Sequence, residues 1–300
     1  MNIKNKLFLA PMAGVNDIPF RLLCKKYGAD VVMTEMISVN ALSRNNQATL
    51  RLAETVKEEK PIGIQLFGTR LDAYKKSVEL IENNFDFIDI NFGCPATKVI
   101  KQGAGSALLK RPAKIKELVE FLVSNSKKPI SGKIRTASNK EDSLKTASML
   151  EEGGASFVIV HGRTTGQGYS GNVNYEHIKY IKENLQIPVV GNGDIKDKVS
   201  LEKMKSTNAD AFMIGRAAIG NPMVFTEVKK GKETSLDKKI KVLYEYWDLS
   251  KKLNRQDFNK LKFLSLAVMK GFNQAARYRE KLSLAKNFDE WDKVMSLLQM

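Results

Sequence analysis

The sequence predicts an α/β chain: a (β/α)8 TIM barrel followed by a small all-helical C-terminal domain. Three observations carry this. Eight short apolar runs alternate with amphipathic stretches over about 225 residues. Distinctive polar residues follow one run after another at its carboxyl end. From about residue 229 onward no strand pattern recurs.

The expected strands are Lys6–Ala10, Asp30–Thr34, Pro61–Phe67, Phe85–Asn91, Pro129–Ile134, Ser156–His161, Ile187–Gly191 and Asp210–Gly215. Most are continuous apolar runs, as parallel strands covered on both faces require. Helical patterns separate them over Ile18–Tyr27, Asn46–Val56, Leu71–Asn83, Pro112–Ser124, Lys140–Glu152, Tyr175–Glu183 and Lys196–Lys205. Pro112 suits a first helical turn and Gly28 a helix end. A doubly wound open sheet is the rival arrangement, but its ligand residues would cluster at one switch point. Here they follow strand after strand. The tail reads as helices over Lys238–Leu253, Asn259–Lys270 and Phe288–Leu298. The expected division is therefore 1–228 for the barrel and 229–300 for the helical domain.

The chain of 300 residues carries 49 Lys+Arg against 33 Asp+Glu, a net charge of +16 and a pI near 9.6. That excess suggests a polyanionic partner, either nucleic acid or an acidic membrane surface. Lysine enrichment by an AT-rich genome gives the same balance. Between Lys229 and Lys281 there are 15 basic and 6 acidic residues, net +9, more than half of the whole excess. The interleaved Tyr244, Tyr246, Trp247 and Phe258 point this segment toward RNA rather than toward a merely solvated surface. No run reaches the roughly 18 apolar residues of a membrane span, and Leu7–Met12 reads as a first strand rather than a signal segment. Two cysteines and two histidines are too few for a disulfide framework or a structural zinc site. No metal is expected, and the expected setting is reducing cytoplasm.

In a barrel the strand ends converge on one face. They supply Ala10-Pro11-Met12-Ala13-Gly14, Thr34-Glu35-Met36, Gln65-Leu66-Phe67-Gly68, Asp89-Ile90-Asn91-Phe92-Gly93-Cys94-Pro95, Lys133-Ile134-Arg135, His161-Gly162-Arg163, Asn192-Gly193-Asp194 and Gly215-Arg216. Gly191, Gly193 and Gly215 can expose backbone N–H groups beside the Arg216 fork, as a phosphate cradle does. Tight turns are their commoner use. Gly103–Ser106 reads as a flexible loop of neither P-loop nor dinucleotide spacing. Cys94, between Gly93 and Pro95, is a candidate nucleophile or general acid, whereas Cys24 on an apolar helix face reads as inert core. Lys133 would place an ammonium in the mouth, and His161 reads as ligand-binding because Gly162-Arg163 follows it. His177 reads as a surface or capping residue.

The order Ala10–Asp17 with Pro19-Phe20-Arg21, then Asp89–Pro95 with Lys98, Gly103–Leu109, Lys133–Arg135, His161–Thr164, Asn192–Ile195 and Met213–Ala217 resembles the dihydrouridine synthases, flavoenzymes that reduce selected uridines in tRNA. The resemblance spans about residues 6–225; the basic tail is similar to the family's RNA-binding helical domain. The resemblance implies FMN across the barrel mouth, reduced by NADPH (or NADH), with flavin N5 delivering hydride to uracil C6 and Cys94 donating a proton to C5. It implies that Pro11, Met12 and Ala13 line the flavin, that Gln65 and Lys133 contact its ring, and that His161 lies near it. Asn192, Gly193, Asp194, Gly215 and Arg216 would hold ribityl and phosphate. Asn91 would position the uracil, with Glu35, Arg135 and Arg163 as substrate or RNA contacts. The expected partner is tRNA, bound by a monomer. Two departures fall near the substrate: Thr165 stands where the family often has a basic residue, and Val173-Asn174-Tyr175 replaces an acidic-aromatic pair. Two other readings share some of these features: a flavin-dependent dehydrogenase of free pyrimidine or dihydroorotate, and a non-catalytic RNA-binding protein with a vestigial barrel.

Overall fold

A computed structural model describes residues 2–270 and 274–298. The first part of the chain alternates strictly. Its elements are β1 (Leu7–Leu9), α1 (Ile18–Lys26), β2 (Val32–Ser38), α2 (Val39–Leu42), α3 (Gln47–Leu52), β3 (Ile62–Phe67), α4 (Leu71–Ile81), β4 (Phe87–Asn91), α5 (Thr97–Ile100), α6 (Pro112–Asn125), β5 (Ile130–Arg135), α7 (Lys140–Glu152), β6 (Phe157–His161), α8 (Tyr175–Asn184), β7 (Val189–Asn192), α9 (Lys198–Lys205), β8 (Ala211–Ile214) and α10 (Val224–Lys230). Four helices follow: α11 (Leu236–Lys252), α12 (Phe258–Val268), α13 (Ala275–Leu284) and α14 (Phe288–Ser296). All eight strands are parallel, in the order β1-β8-β7-β6-β5-β4-β3-β2. The ring closes between β1 and the start of β2 through a Phe8–Val31 bridge and the Leu9 N–H donating to Val31 O at 2.9 Å. The (β/α)8 barrel with a helical C-terminal part is thus what the alternation predicted.

Because successive side chains point to opposite faces of a strand, the sequence sorts into two cores. Residues such as Leu9, Ile64, Ile88, Ile90 and Ile134 face the helices. Phe8, Val31, Met33, Phe87, Phe157, Ile159, Val190, Ala211 and Met213 fill the barrel. The floor is aromatic: Phe8, Phe87 and Phe157 meet with ring centroids 5.3–6.4 Å apart. Gly63 is required opposite Phe87, because a Cβ there would lie 2.1 Å from the ring.

Several elements depart from expectation. The second strand runs on to Ser38 instead of ending near Thr34, because a register shift between Met33 and Met36 absorbs the polar Thr34-Glu35 pair as a bulge. The third helix stops at Leu52, short of Val56. Helices α2, α5, α10 and α13 have no counterpart among the expected ones. Gly103–Ser106 is no free loop: Gly105 opens a short 3₁₀ turn to Lys110, and Ser106 N–H donates to Cys94 O at 3.0 Å.

The motif after β1 is largely structural. Asn16 donates through Nδ2 to Ala10 O and Met33 O, both at 2.8 Å, sewing the ends of β1 and β2 together. Asp17 caps α1. Arg21 is buried and bonds Glu59 Oε1 at 2.7 Å, Asn16 O at 2.6 Å and Glu54 O at 2.8 Å. In the helical part, buried Trp291 donates to Ser265 Oγ at 2.7 Å and meets Tyr244 edge-on, while Trp247 stacks on Phe288. Tyr246 is buried and donates to Asp17 Oδ2 at 2.7 Å, joining α11 to the start of α1. The aromatics that pointed to RNA are therefore core and joint residues of the helical part. They had helical spacing because they pack inward.

Removing one half of a buried ion pair strands the other charge. We expect Arg21→Met to cost about 3–5 kcal/mol, read as a lower denaturant midpoint, and Arg21→Met/Glu59→Leu to recover part of that loss.

Candidate active site

The carboxyl ends of the strands surround a cleft of about 420 Å³. Of the residues expected there, Pro11, Met12, Ala13, Asn91, Cys94, Lys133, Arg135, His161, Asn192, Gly193, Asp194, Gly215 and Arg216 all line it. Three do not. Gln65 is wholly buried beneath the cleft, with both ends of its amide engaged by neighbouring strands. Glu35 sits in the β2 bulge and accepts from Gly14 N–H at 2.6 Å, bracing the loop after β1. Arg163 is buried; it bonds Gly171 O and holds Asp194 through both carboxylate oxygens. Sequence position put all three near the mouth, but the long-range bonds that occupy them were not visible there.

One wall is apolar, built by Ala10, Pro11, Met12 and Met36. The opposite side is cationic. Lys133, reaching up from β5, donates to Asn192 Oδ1 at 2.9 Å, and Asn192 in turn donates to Met213 O at 2.9 Å. Burial, with Arg135 adjacent, pulls the Lys133 ammonium down to about 7. Burial also drives the His161 imidazole far below its ordinary range, helped by Lys133 and the nearby guanidiniums, so it is neutral. Arg135 donates to Gly93 O at 2.8 Å and Gly168 O at 2.8 Å, tying the Cys94 loop to the loop after β6. Asp194, held by Arg163 and by Arg216 at 2.8 Å, has its carboxyl kept below the ordinary range by these guanidiniums.

Cys94 is half-buried and faces this space, whereas Cys24 is fully buried. Two features fix its loop. Asn91 Oδ1 accepts from Gly93 N–H at 3.1 Å and Cys94 N–H at 2.9 Å. Gly105, at φ +60°, packs so close that a Cβ would lie 2.8 Å from Cys94 O. Gly193, at φ +140°, likewise has no room for a Cβ, which would meet Val173 at 2.7 Å. Gly191 serves the opposite face: it lets α9 approach, since a Cβ there would meet Met204 Sδ at 2.6 Å. It is not part of a phosphate cradle.

Met36, which the sequence placed just past the end of β2, lies within that strand and lines the cleft. Tyr169, Ile219 and Phe263 line it too and were not picked out from the sequence. Tyr169, in the polar loop after β6, is 61% exposed and lies under both Arg216 and Arg135, at 4.6 and 5.7 Å from its ring centroid. Phe263 comes from α12, far away in the chain, and no local pattern announces it. His177 caps nothing itself; its N–H is held by Asn174 and its Nδ1 meets Ser143 Oγ at 3.2 Å. Among the described residues no cluster of ligands could hold a metal ion.

Together, the barrel, the cofactor-sized cleft at the carboxyl ends of its strands and the thiol on a braced loop define a (β/α)8-barrel enzyme. The model of the dihydrouridine synthase (Dus) family matches residues 8–298, barrel and helical part alike. The tRNA-dihydrouridine synthase B of Pasteurella multocida is 39% identical over 81% of this chain and 77% of its own length. The probable tRNA-dihydrouridine synthase of Aquifex aeolicus is 35% identical over 82% of this chain and 80% of its own. Among solved structures, DHODH from Eimeria tenella in complex with ferulenol is similar in fold, with a TM-score of 0.54 and 14% identity over 81% of this chain and 83% of that one. This chain belongs to the dihydrouridine synthase family.

Beneath the cleft, burial pushes the Asp89 carboxyl from its ordinary 3.8 up to about 6, against hydrogen bonds from Gln65 and Ser131. The folded state thus holds this proton more tightly than the unfolded chain. The stability it contributes is complete below the ordinary value and lost as pH rises through about 6. We expect Asp89→Asn, which keeps an acceptor without the charge, to gain stability relative to the parent across that window and to hold a constant advantage above it. Denaturant titrations at stepped pH measure this.

Proposed function

We propose that this chain reduces the C5–C6 double bond of particular uridines in tRNA to 5,6-dihydrouridine, with FMN held in the cleft and NADPH (or NADH) as reductant. The observation that carries the reading is the Cys94 thiol, facing a cleft with one apolar and one cationic wall. The relatives at 35–39% identity, a tRNA-dihydrouridine synthase B and a probable tRNA-dihydrouridine synthase, support it.

The residues present fit a flavin nucleotide. The volume of about 420 Å³ lies in the range of small-molecule sites. Pro11, Met12 and Ala13 offer a flat apolar surface, and Lys133, Asn192 and neutral His161 offer polar contacts to a ring edge. Backbone at Gly193 and Gly215, with Arg216, would receive ribityl and phosphate, and Asp194 would keep Arg216 in place. Bound FMN would supply the two-electron reduction.

The chain's own residues would then place the base and handle the proton. Asn91, buried beneath the Cys94 loop, would orient the uracil, with Arg135 beside it. Cys94 Sγ would give its proton to uracil C5. Lys133 and Arg135 both lie within electrostatic reach of Cys94. The open mouth would let solvent restore the proton.

A second cavity, of about 1280 Å³, runs between the barrel and the helical part and shares Arg216, Ile219 and Phe263 with the cleft. Lys196, Lys198, Lys232, Lys239, Lys270 and Arg279 line it. A polyanion lying along this groove would bring a base to the cleft; a free pyrimidine or dihydroorotate would have no use for it. The uridine must leave its stack, at a cost of about a few kcal/mol. With residues 1–228 as catalytic barrel and 229–300 as helical domain, a division that falls within α10, the groove lies at their junction. We assign the protein to the cytoplasm as a monomer; no helix among the described residues is long and apolar enough to cross a membrane.

Cys94→Ala should retain FMN with its yellow absorbance and lose dihydrouridine formation on transcript tRNA with NADPH; full turnover in that variant overturns the role given to the thiol. Lys232→Glu and Lys270→Glu should weaken tRNA binding across sequences and each reduce the slope of log affinity against log salt by about one, measured by filter binding at several salt concentrations.

A further inference from the structure

A line of buried polar groups runs from the middle of the barrel to the Cys94 loop. Asp89, on β4, is fully buried and takes part in no contact with the cleft. Its Oδ2 accepts from Gln65 Nε2 at 2.7 Å, and its Oδ1 accepts from Ser131 Oγ at 2.7 Å. Gln65 Oε1 accepts from Asn91 Nδ2 at 2.8 Å. Asn91 Oδ1 accepts from the N–H groups of Gly93 and Cys94. An amide side chain can face either way, with its oxygen and nitrogen exchanged. Here both ends of the line fix the choice. Backbone N–H groups can only donate and a carboxylate can only accept, so Gln65 must turn its NH₂ to Asp89 and Asn91 must turn its oxygen to the loop. A flip at either amide would set two donors or two acceptors against each other in a dry interior.

We propose that Asp89 is a positioning residue for Cys94, acting through the amides of Gln65 and Asn91 to hold the thiol's loop in register with the cleft. This deepens the reading of Cys94 as proton donor and rests on it. The relay needs an acceptor at position 89, not a charge. Asp89→Asn can present its oxygen to Gln65 and its NH₂ to Ser131, whose hydroxyl rotates to accept. Asp89→Leu removes the acceptor at similar size and frees both amides.

The test compares these variants with the parent, all loaded with FMN, by three measurements. In Asp89→Leu, single-turnover reduction of tRNA uridine by the reduced enzyme should slow about tenfold or more, while NADPH reduces the flavin at the parental rate. Iodoacetamide alkylation of Cys94 should shift to a several-fold faster rate at fixed pH, as the loosened loop exposes the half-buried thiol. Asp89→Asn should behave as the parent in all three. Should Asp89→Leu fail to fold, Gln65→Met cuts the line at its next member and should reproduce the slowing and the alkylation shift. A parental rate and alkylation profile in the cut variants overturns the proposal, as does Asp89→Asn being impaired as severely as Asp89→Leu. Cys94→Ala, run alongside, separates the two ideas. If it turns over normally the proton-donor reading fails, and the alkylation profiles still decide whether Asp89 positions the loop.

Discussion

Closing eight parallel strands on themselves leaves an interior wide enough only for layers of side chains, and the chemistry at the mouth depends on what fills them. Phe8, Phe87 and Phe157 seal the floor and keep water out from below. Polar groups above them must therefore satisfy one another across the strands. Asp89 finds Gln65 and Ser131, and Lys133 finds Asn192. The same dryness sets the charges. The Lys133 ammonium sits near its titration point and His161 is neutral, because hydration that would favour their charged forms is missing. A mouth so poised answers strongly to whatever anionic group enters it.

Much of this was legible in the sequence, for a physical reason. Strands buried on both faces must be apolar along their length, so their positions stand out. The groups that follow them must lie at one end of the barrel, whatever the loops do. That logic placed Cys94, Lys133, His161, Asn192 and Arg216 around one cleft. It failed where a side chain's partner is distant in the chain. Gln65 bonds a residue 24 positions on, Glu35 one 21 positions back, and Arg163 one 31 positions on. Each is occupied by that partner instead of being open to the cleft. The bulge in β2 hid the continuation of that strand to Ser38 for a related reason: a polar pair inside a run reads as its end, although pairing resumes beyond it.

The basic tail illustrates a different ambiguity. Aromatic and basic residues alternate there, which suits an RNA surface and an amphipathic bundle equally well. Packing resolves it: Trp291, Tyr246 and Trp247 make the bundle and its seam, and most of the lysines take the outside, with Lys260 buried. Phe263 is an apolar residue left open, 45% exposed where groove and cleft meet. It stands at the point where a base leaving its stack would find an aromatic face.

Asp17 ties these parts together. One oxygen caps α1 through Phe20 N–H; the other receives Tyr246 Oη and lies 3.4 Å from Lys260 Nζ. The segment just before it, Pro11 to Ala13, is the apolar wall of the cleft. The helical part is thus tied to the very turn that shapes the cleft, alongside the bonds of Lys26 and Tyr27 to Glu245. Its seating and the position of that wall are therefore not independent, and a substitution that loosens Tyr246 or Lys260 would be felt at Pro11 to Ala13 as well.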